Sequence, residues 1–472
     1  MRILYFLPLM LAGGFAFAAP VLAQSIASND DLRKEVAELK SEVAELESEN
    51  LRLRALKDKV DRLDRAVASQ SDAARKKELS RPAVMVGPNG FGLASPDGAY
   101  QFRIGGWLQA DGRFYNTGTK PNASTFLIRR ARPYFEGTLD RFYDFRLMAD
   151  FGQGKTTIED AFADIHYWDA FRMRAGKFKE PVGLERLQND RYLMFAERAL
   201  TVNLVPDRDL GAAAHGELFA QTLEYEFGIF NGVPDDTAAV DIGDNDAKDF
   251  AGRVFVHPFA DSRYAFASKL GIGVAGTYGS GRTVTLDTYK TAGQTTFFTY
   301  NKNVHASGER FRLAPQLNYY RGPVGFQSEF VENAQQVELV SPSSAAARAH
   351  LLSNQAWQIA CSFLLTGEEA QYAAPVVPIH PFSPFGNGLG AWELAARVDA
   401  LTVDSDAFKD GFADPSASSR QALEWMFGVN WYPNRNLKMQ LDYERTSFAG
   451  GAPGGRDREG ESAILSELQV AF

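Results

Sequence analysis

The sequence predicts an all-β fold, a 16-stranded antiparallel transmembrane β-barrel preceded by an N-terminal α-helical coiled coil. Three observations predict it. Beyond residue 88, short stretches rich in Phe, Tyr, Leu and Val alternate apolar and polar residues with period two, and Gly, Pro, Asn and Asp clusters separate them. After the N-terminal stretch no run of about 18 apolar residues occurs, which excludes a helical membrane protein. Between them, residues 32–67 carry the alternating three- and four-residue apolar spacing of a coiled coil.

Composition narrows the function classes. With 45% hydrophobic residues in 472, global disorder is excluded. Cys361 is the sole cysteine and the six histidines never approach H-x-x-x-H spacing, so neither a disulfide scaffold nor a zincin helix is available. A net charge of −9 offers no general basic footprint for nucleic acid.

The N-terminus reads as a signal peptide over residues 1–23. Met1 and Arg2 precede the apolar stretch Ile3 to Ala18, and Val21-Leu22-Ala23 supplies small residues for cleavage after Ala23. An uncleaved anchor is the alternative. A coiled-coil stalk is expected over 25–70, with Leu32, Val36, Leu39, Val43, Leu46, Asn50 and Leu53 on the seam. A step of three from Leu53 to Leu56 predicts a stammer, after which Val60, Leu63 and Val67 resume the pattern. Glu35 with Lys40 and Glu49 with Arg54 sit at g and following e positions, and Asn50 at an a position, which argues for self-association over a solitary helix lying on its own barrel.

A linker over 71–88 leads to the barrel, 89–472. In Thr125 to Leu139 one parity carries Leu127, Ala131, Phe135, Gly137 and Leu139, and the other Arg130, Arg132, Tyr134, Glu136 and Thr138. Charges alternating with apolar residues are costly in a dry core and free in a wet lumen. About sixteen such segments are counted, near 99–114, 125–139, 142–151, 157–168, 170–178, 219–231, 249–258, 266–278, 283–300, 308–321, 323–337, 354–366, 389–404, 420–432, 435–448 and 461–472. The connection after the fifth segment, Phe178 to Leu218, is the longest. Its content of Val182, Leu184, Leu193, Phe195 and Leu204 is too apolar for a solvated loop, so it is expected to fold into the lumen and narrow it.

Several stretches resemble the phosphate-selective porin O and P family: Gly105 to Arg113 (GGWLQADGR), Arg129 to Gly137 (RRARPYFEG), Thr157 to Asp164 (TIEDAFAD), Gly176 to Glu185 (GKFKEPVGLE), Ala391 to Arg397 and Gly428 to Asn434, in an order that covers roughly 85 to 472. The resemblance implies a trimeric sixteen-stranded porin of the outer membrane whose lumen carries an arginine ladder and a lysine cluster for oxyanions. Its basic strand matches Arg129, Arg130 and Arg132, and its G-K-F-K-E-P motif matches Lys177 and Lys179.

The expected function is therefore a passive diffusion channel for small anions, with phosphate or polyphosphate as candidates. It needs no cofactor, no metal and no catalytic residues. The pore-lining set is Arg130, Arg132, Arg146, Arg172, Arg174, Lys177 and Lys179; parity turns the five arginines inward, and the lysines sit where the strand enters the long connection. Guanidinium groups replace lost hydration by planar bidentate bonds, and several weak sites in series conduct better than one tight site. The competing reading pairs these arginines with Glu136, Asp150, Asp160 and Asp164 in the wall of a general pore. Arg129 and Arg141 are placed at strand ends as interfacial charges. The expected partners are small anions, outer-membrane lipid and two further copies in a homotrimer. The stalk, in the periplasm, spans about 54 Å if helical over 36 residues and offers a second function as a tether to the cell wall.

Three motifs are set aside. Ala149 to Thr156 fits a loose phosphate-binding loop, but no helix pattern follows it, and it reads as a hairpin connection. Gly271 to Gly276 is G-x-G-x-x-G inside an alternating strand, where small residues permit close packing. Asp235, Asp236, Asp241, Asp244, Asp246 and Asp249 have oxygen-ligand spacing suited to Ca²⁺, although a solvated acidic turn is the stronger account.

Overall fold

The computed structural model describes residues 29–79, 81–87, 90–116, 123–238, 248–260, 266–283, 286–340 and 348–472. The expected signal peptide falls outside them. The chain divides into two compact units, Met1–Ser80 and Arg81–Phe472.

In the first unit, helix α1 (Asn29–Leu79) runs unbroken past Leu53 and continues through the first half of the stretch expected as linker. Along its seam Leu32, Val36, Leu39, Val43, Leu46 and Leu53 are all roughly half exposed.

The second unit is a closed antiparallel barrel. Its strands are β1 (Gln101–Tyr115), β2 (Thr125–Leu139), β3 (Tyr143–Asp150), β4 (Thr157–Trp168), β5 (Phe171–Lys179) and β6 (Arg208–Leu218). They are followed by β7 (Leu223–Phe230), β8 (Asp249–Val256), β9 (Leu270–Thr283), β10 (Val304–Arg321) and β11 (Val324–Leu339). The last five are β12 (Arg348–Leu364), β13 (Ala391–Thr402), β14 (Ser419–Asn434), β15 (Leu437–Ala452) and β16 (Glu461–Ala471). Each strand pairs with the next, and β16 closes on β1 from Ala463↔Tyr115 to Ala471↔Trp107. A short hairpin, Ala83–Gly87 with Gly90–Ala94, pairs onto the start of β1.

Burial inverts the pattern of a water-soluble core. Outward positions such as Leu147, Met173, Val274, Leu394 and Leu441 are exposed, whereas the inward Gln358, Asp399, Glu424 and Asp442 are fully buried. At the β1–β2 pairing a bulge at Gln109/Ala110 resets the parity. It gives Phe126 and Ile128, rather than Leu127 as the alternation predicts, to the exposed face.

The count of sixteen is correct, but two segments differ from the sequence reading and their errors cancel. Arg208–Leu218 is a strand, not the end of the long connection. In the stretch 283–300, read as one strand, Thr283 ends β9, and Thr288–Lys290 with Thr296–Thr299 form a small hairpin separate from the barrel sheet. Inserting β6 also moves the acidic connection to follow β7, on the same barrel end as the connections 180–207 and 403–418.

That end, where β1 finishes and β2 begins, is here the far end; the near end is where β1 starts. Among the described residues, three far-end connections bring apolar side chains into the lumen. Residues 180–207 bring Val182, Leu200 and Leu204, the small hairpin brings Tyr289, Phe297 and Phe298, and the segment 403–418 brings Phe412. With Val331, Leu352, Leu401 and Phe448 of the wall they form an apolar core inside the barrel. From the near end, residues 365–390 pack Ala370 and Val376 against Leu364 and Tyr432. Much of the lumen along β9–β15 is thus filled by protein, and among the described residues the larger lumenal cavities are lined by β1–β8.

Candidate functional site

The connection 180–207 is the element that shapes the lumen. Its backbone is pinned to the wall by inward polar side chains: Asp442 accepts from Ala196 N at 2.9 Å, Asn430 donates to Met194 O at 2.9 Å, and Arg397 donates to Glu197 O at 3.0 Å. From the near end Tyr372 donates its hydroxyl to Leu184 O at 2.6 Å. A buried backbone needs such partners, and the sequence supplies them on alternate positions of β13–β15.

The expected pore-lining residues fall into two groups. The first holds the inserted connection in place. Arg130 is buried and donates to Gln109 Oε1 at 2.9 Å, with Asp190 at 3.4 Å. Arg132 joins Asp150 at 2.7 Å, Glu159 at 3.3 Å and Asp190. Burial alone would raise the Asp190 carboxyl, but Arg130, Arg198 and Arg132 hold it well below the usual carboxylate range. Lys179 donates to the carbonyls of Arg186 at 2.6 Å and Gln188 at 2.9 Å, closing the first turn of the connection. Lys177 is buried, in register with Ala161 and Leu210.

The second group is open to the lumen. Arg146 lies between Glu136 and Asp160, 3.2 and 3.3 Å away, and its side chain is 22% exposed. Arg174 meets Asp164 at 2.9 Å and is 24% exposed; His215 shares that carboxylate at 2.8 Å. Arg172 pairs with Asp169 at 2.6 Å at the near end. These residues line two cavities. The outer, of about 340 Å³, is bounded by Arg103, Arg172, Glu136, Asp144 and Asp164. The inner, of about 240 Å³, is bounded by Trp107, Met148, Lys179, Asp190 and Arg208. Arg146, Phe162 and Arg174 line both, and no carboxylate does.

Arg129 corrects the expectation of a strand-end charge: the bulge turns it inward, where Nε and Nη2 grip Glu197 at 2.6 and 3.0 Å. Arg141 stays exposed, facing Asp97 at 3.1 Å. The acidic connection is not a solvated turn throughout. Asp235 and Asp249 are buried against Arg312 at 2.6 and 3.2 Å, and Asp249 also meets Arg310 at 2.6 Å. Asp241, Asp244 and Asp246 lie outside the described residues, among which no metal-ligating cluster occurs. Gly271 and Gly273 make room for the Phe255 ring, the close packing expected of them.

Sequence reasoning missed Arg208, which joins Asp160 at 2.7 Å and Glu159 at 2.8 Å, together with Arg310, Arg312 and Arg397. Arg310 and Arg312 stand two residues apart with apolar Phe311 between them, the same period-two signal that marks Arg172 and Arg174.

Comparison with known proteins agrees with this architecture. The family model for phosphate-selective porin O and P matches residues 102–447. Porin O of Pseudomonas aeruginosa is 22% identical over 432 residues, covering 86% of this chain and 96% of that protein. The outer membrane channel DcaP of Acinetobacter baumannii superposes with a TM-score of 0.52 at 9% identity, over 79% of this chain and 98% of that one. The anion-selective porin from Comamonas acidovorans superposes with a TM-score of 0.50 at 9% identity, over 79% of this chain and 100% of that one. The sixteen-stranded closure, the inward-folded third far-end connection and the match along most of the chain lead to one conclusion: this chain belongs to the phosphate-selective porin O and P family of outer-membrane porins, which are passive channels and not enzymes.

Proposed function

We propose that the channel passes small anions, phosphate among them, along the β1–β5 wall, with Arg146, Arg172 and Arg174 as successive weak sites. The observation that carries this reading is that the two cavities share Arg146, Phe162 and Arg174 as lining residues, two guanidiniums and a phenyl ring, and in this reading the solute passes from one to the other there. An ion entering it sheds part of its hydration, and guanidinium N–H groups offer replacement hydrogen bonds to an oxyanion but none to a cation. The neighbouring carboxylates keep each site weak, so an anion is attracted without being trapped.

In this reading Arg130, Arg132 and Lys179 shape the channel by holding the inserted connection, and Arg132 acts on the ion through Asp190. The stalk lies in the periplasm after removal of residues 1–23, and three copies associate through α1, available for contact with the cell wall.

A non-selective pore is the second reading, favoured by the pairing of Arg132, Arg146 and Arg174 with Asp150, Asp160 and Asp164. Reversal potentials in asymmetric KCl separate the two. Anion preference that falls in the double variant Arg146→Ala, Arg174→Ala supports the first, and a wild-type reversal potential at zero or of cation sign rejects it.

A further inference from the structure

We propose, resting on the anion-channel reading, that the solute this channel favours is an organic monocarboxylate with an apolar body, such as an aromatic acid of benzoate size, over a bare inorganic oxyanion. The Arg174 guanidinium carbon sits 4.8 Å from the centre of the Phe162 ring and 5.4 Å from that of Phe178. Arg146 sits 4.7 Å from the Tyr134 ring. A guanidinium laid over a ring uses its face on the π-system and turns its N–H edge to carboxylates, here Glu136 and Asp160 on Arg146 and Asp164 on Arg174, and a solute carboxylate exchanges with these.

The passage is therefore amphipathic. Phe162 is half-buried and lines both cavities, and Leu187 of the inserted connection, also half-buried, lines the inner one beside Trp107 and Met148. A path built for strongly hydrated ions gains nothing from these groups, because phosphate must lose water against an apolar wall that returns no hydrogen bond. An aromatic carboxylate gains on both sides: its ring lies against Phe162 and Leu187, and its two oxygens meet Arg146 or Arg174. The inner cavity, at about 240 Å³, lies just under the usual range for drug-sized ligands, which suits an anion of this size.

The test uses the full-length protein in planar bilayers under bi-ionic conditions, potassium benzoate facing potassium acetate, with KCl gradients on the same channels. Benzoate diffuses more slowly than acetate in water, so a purely aqueous path gives a benzoate-to-acetate permeability ratio below one. The expected ratio is about fivefold in favour of benzoate, and Phe162→Ser and Leu187→Asn each reduce it toward the aqueous value. The ratio is internal to each channel, and the wild-type value stands even if one variant fails to insert. A wild-type ratio below one in a channel that still prefers chloride to potassium overturns this inference and leaves the anion reading intact. Potassium preference overturns both, and a high ratio that neither variant lowers overturns the assignment to this passage.

Discussion

Arg129 and Glu197 are joined by two hydrogen bonds, 2.6 and 3.0 Å long, that tie the bulge of β2 to the connection folded into the lumen. Arg113 adds a third bond to the same carboxylate at 2.6 Å. Glu197→Ala leaves two guanidiniums facing each other without their counter-charge, a loss of about 3–5 kcal/mol for a buried pair. The expected outcome is a lower thermal unfolding midpoint together with larger and noisier single-channel conductance, as the connection loses its hold on the wall.

The same carboxylate sets a pH window. Burial raises its pKa, but Arg129 and Arg113 outweigh burial and hold it at about 2. An unfolded Glu titrates near about 4.3. Because the folded value is depressed, the stabilisation is complete above roughly pH 4.3 and is lost as pH falls toward 2. Conductance noise from this tether should therefore be flat from pH 7 to about pH 5 and rise only in stronger acid, and the rise should be absent in Glu197→Gln.

The two groups of basic residues should separate by phenotype. Arg146→Ala and Arg174→Ala lower the anion-to-cation permeability ratio, most strongly in dilute salt where screening is weakest. Lys179→Met, which frees the carbonyls of Arg186 and Gln188, changes conductance more than selectivity. Paired reversal-potential and conductance records check both outcomes.

The filled side of the lumen makes a further claim. Replacing residues 288–299 with a short Gly-Ser turn removes Tyr289, Phe297 and Phe298 from the internal core. Single-channel conductance should rise if this hairpin blocks the β9–β15 side; an unchanged conductance would mean that the surrounding apolar residues, Val182, Leu204, Val331, Leu352 and Leu401, close over the gap.

For the stalk, a peptide spanning Ser25 to Gln70 should self-associate in sedimentation experiments, since its Leu and Val seam has heptad spacing and is half exposed. Asn50→Leu should raise its melting temperature while loosening the choice of strand number.

The barrel was legible in the sequence because side-chain alternation is a local property. The route of the lumen was not, because filling depends on contacts distant in sequence. Strand β6 escaped notice since Gly211, Ala212, Ala213 and Ala214 carry no contrast between parities. The hairpin at 288–299 imitated a strand because Tyr289, Phe297 and Phe298 are β-formers, yet they are buried in the internal core and not turned to the exposed face. Parity places Arg146, Arg172 and Arg174 on the inward face, where they line the outer cavity. That Arg130, Arg132 and Lys179 hold the connection instead could be seen only once Asp190 and the carbonyls of Arg186 and Gln188 were placed beside them.

The account rests on the solute path running past Phe162. Cys361 lies on the exposed face and can be replaced by Ser, and Phe162→Cys then puts the only thiol in the passage. Treatment with a bulky charged methanethiosulfonate during bilayer recording should remove most of the single-channel current in discrete steps, reversed by reductant. Quantitative labelling at residue 162, verified by mass, with the current unchanged would contradict it.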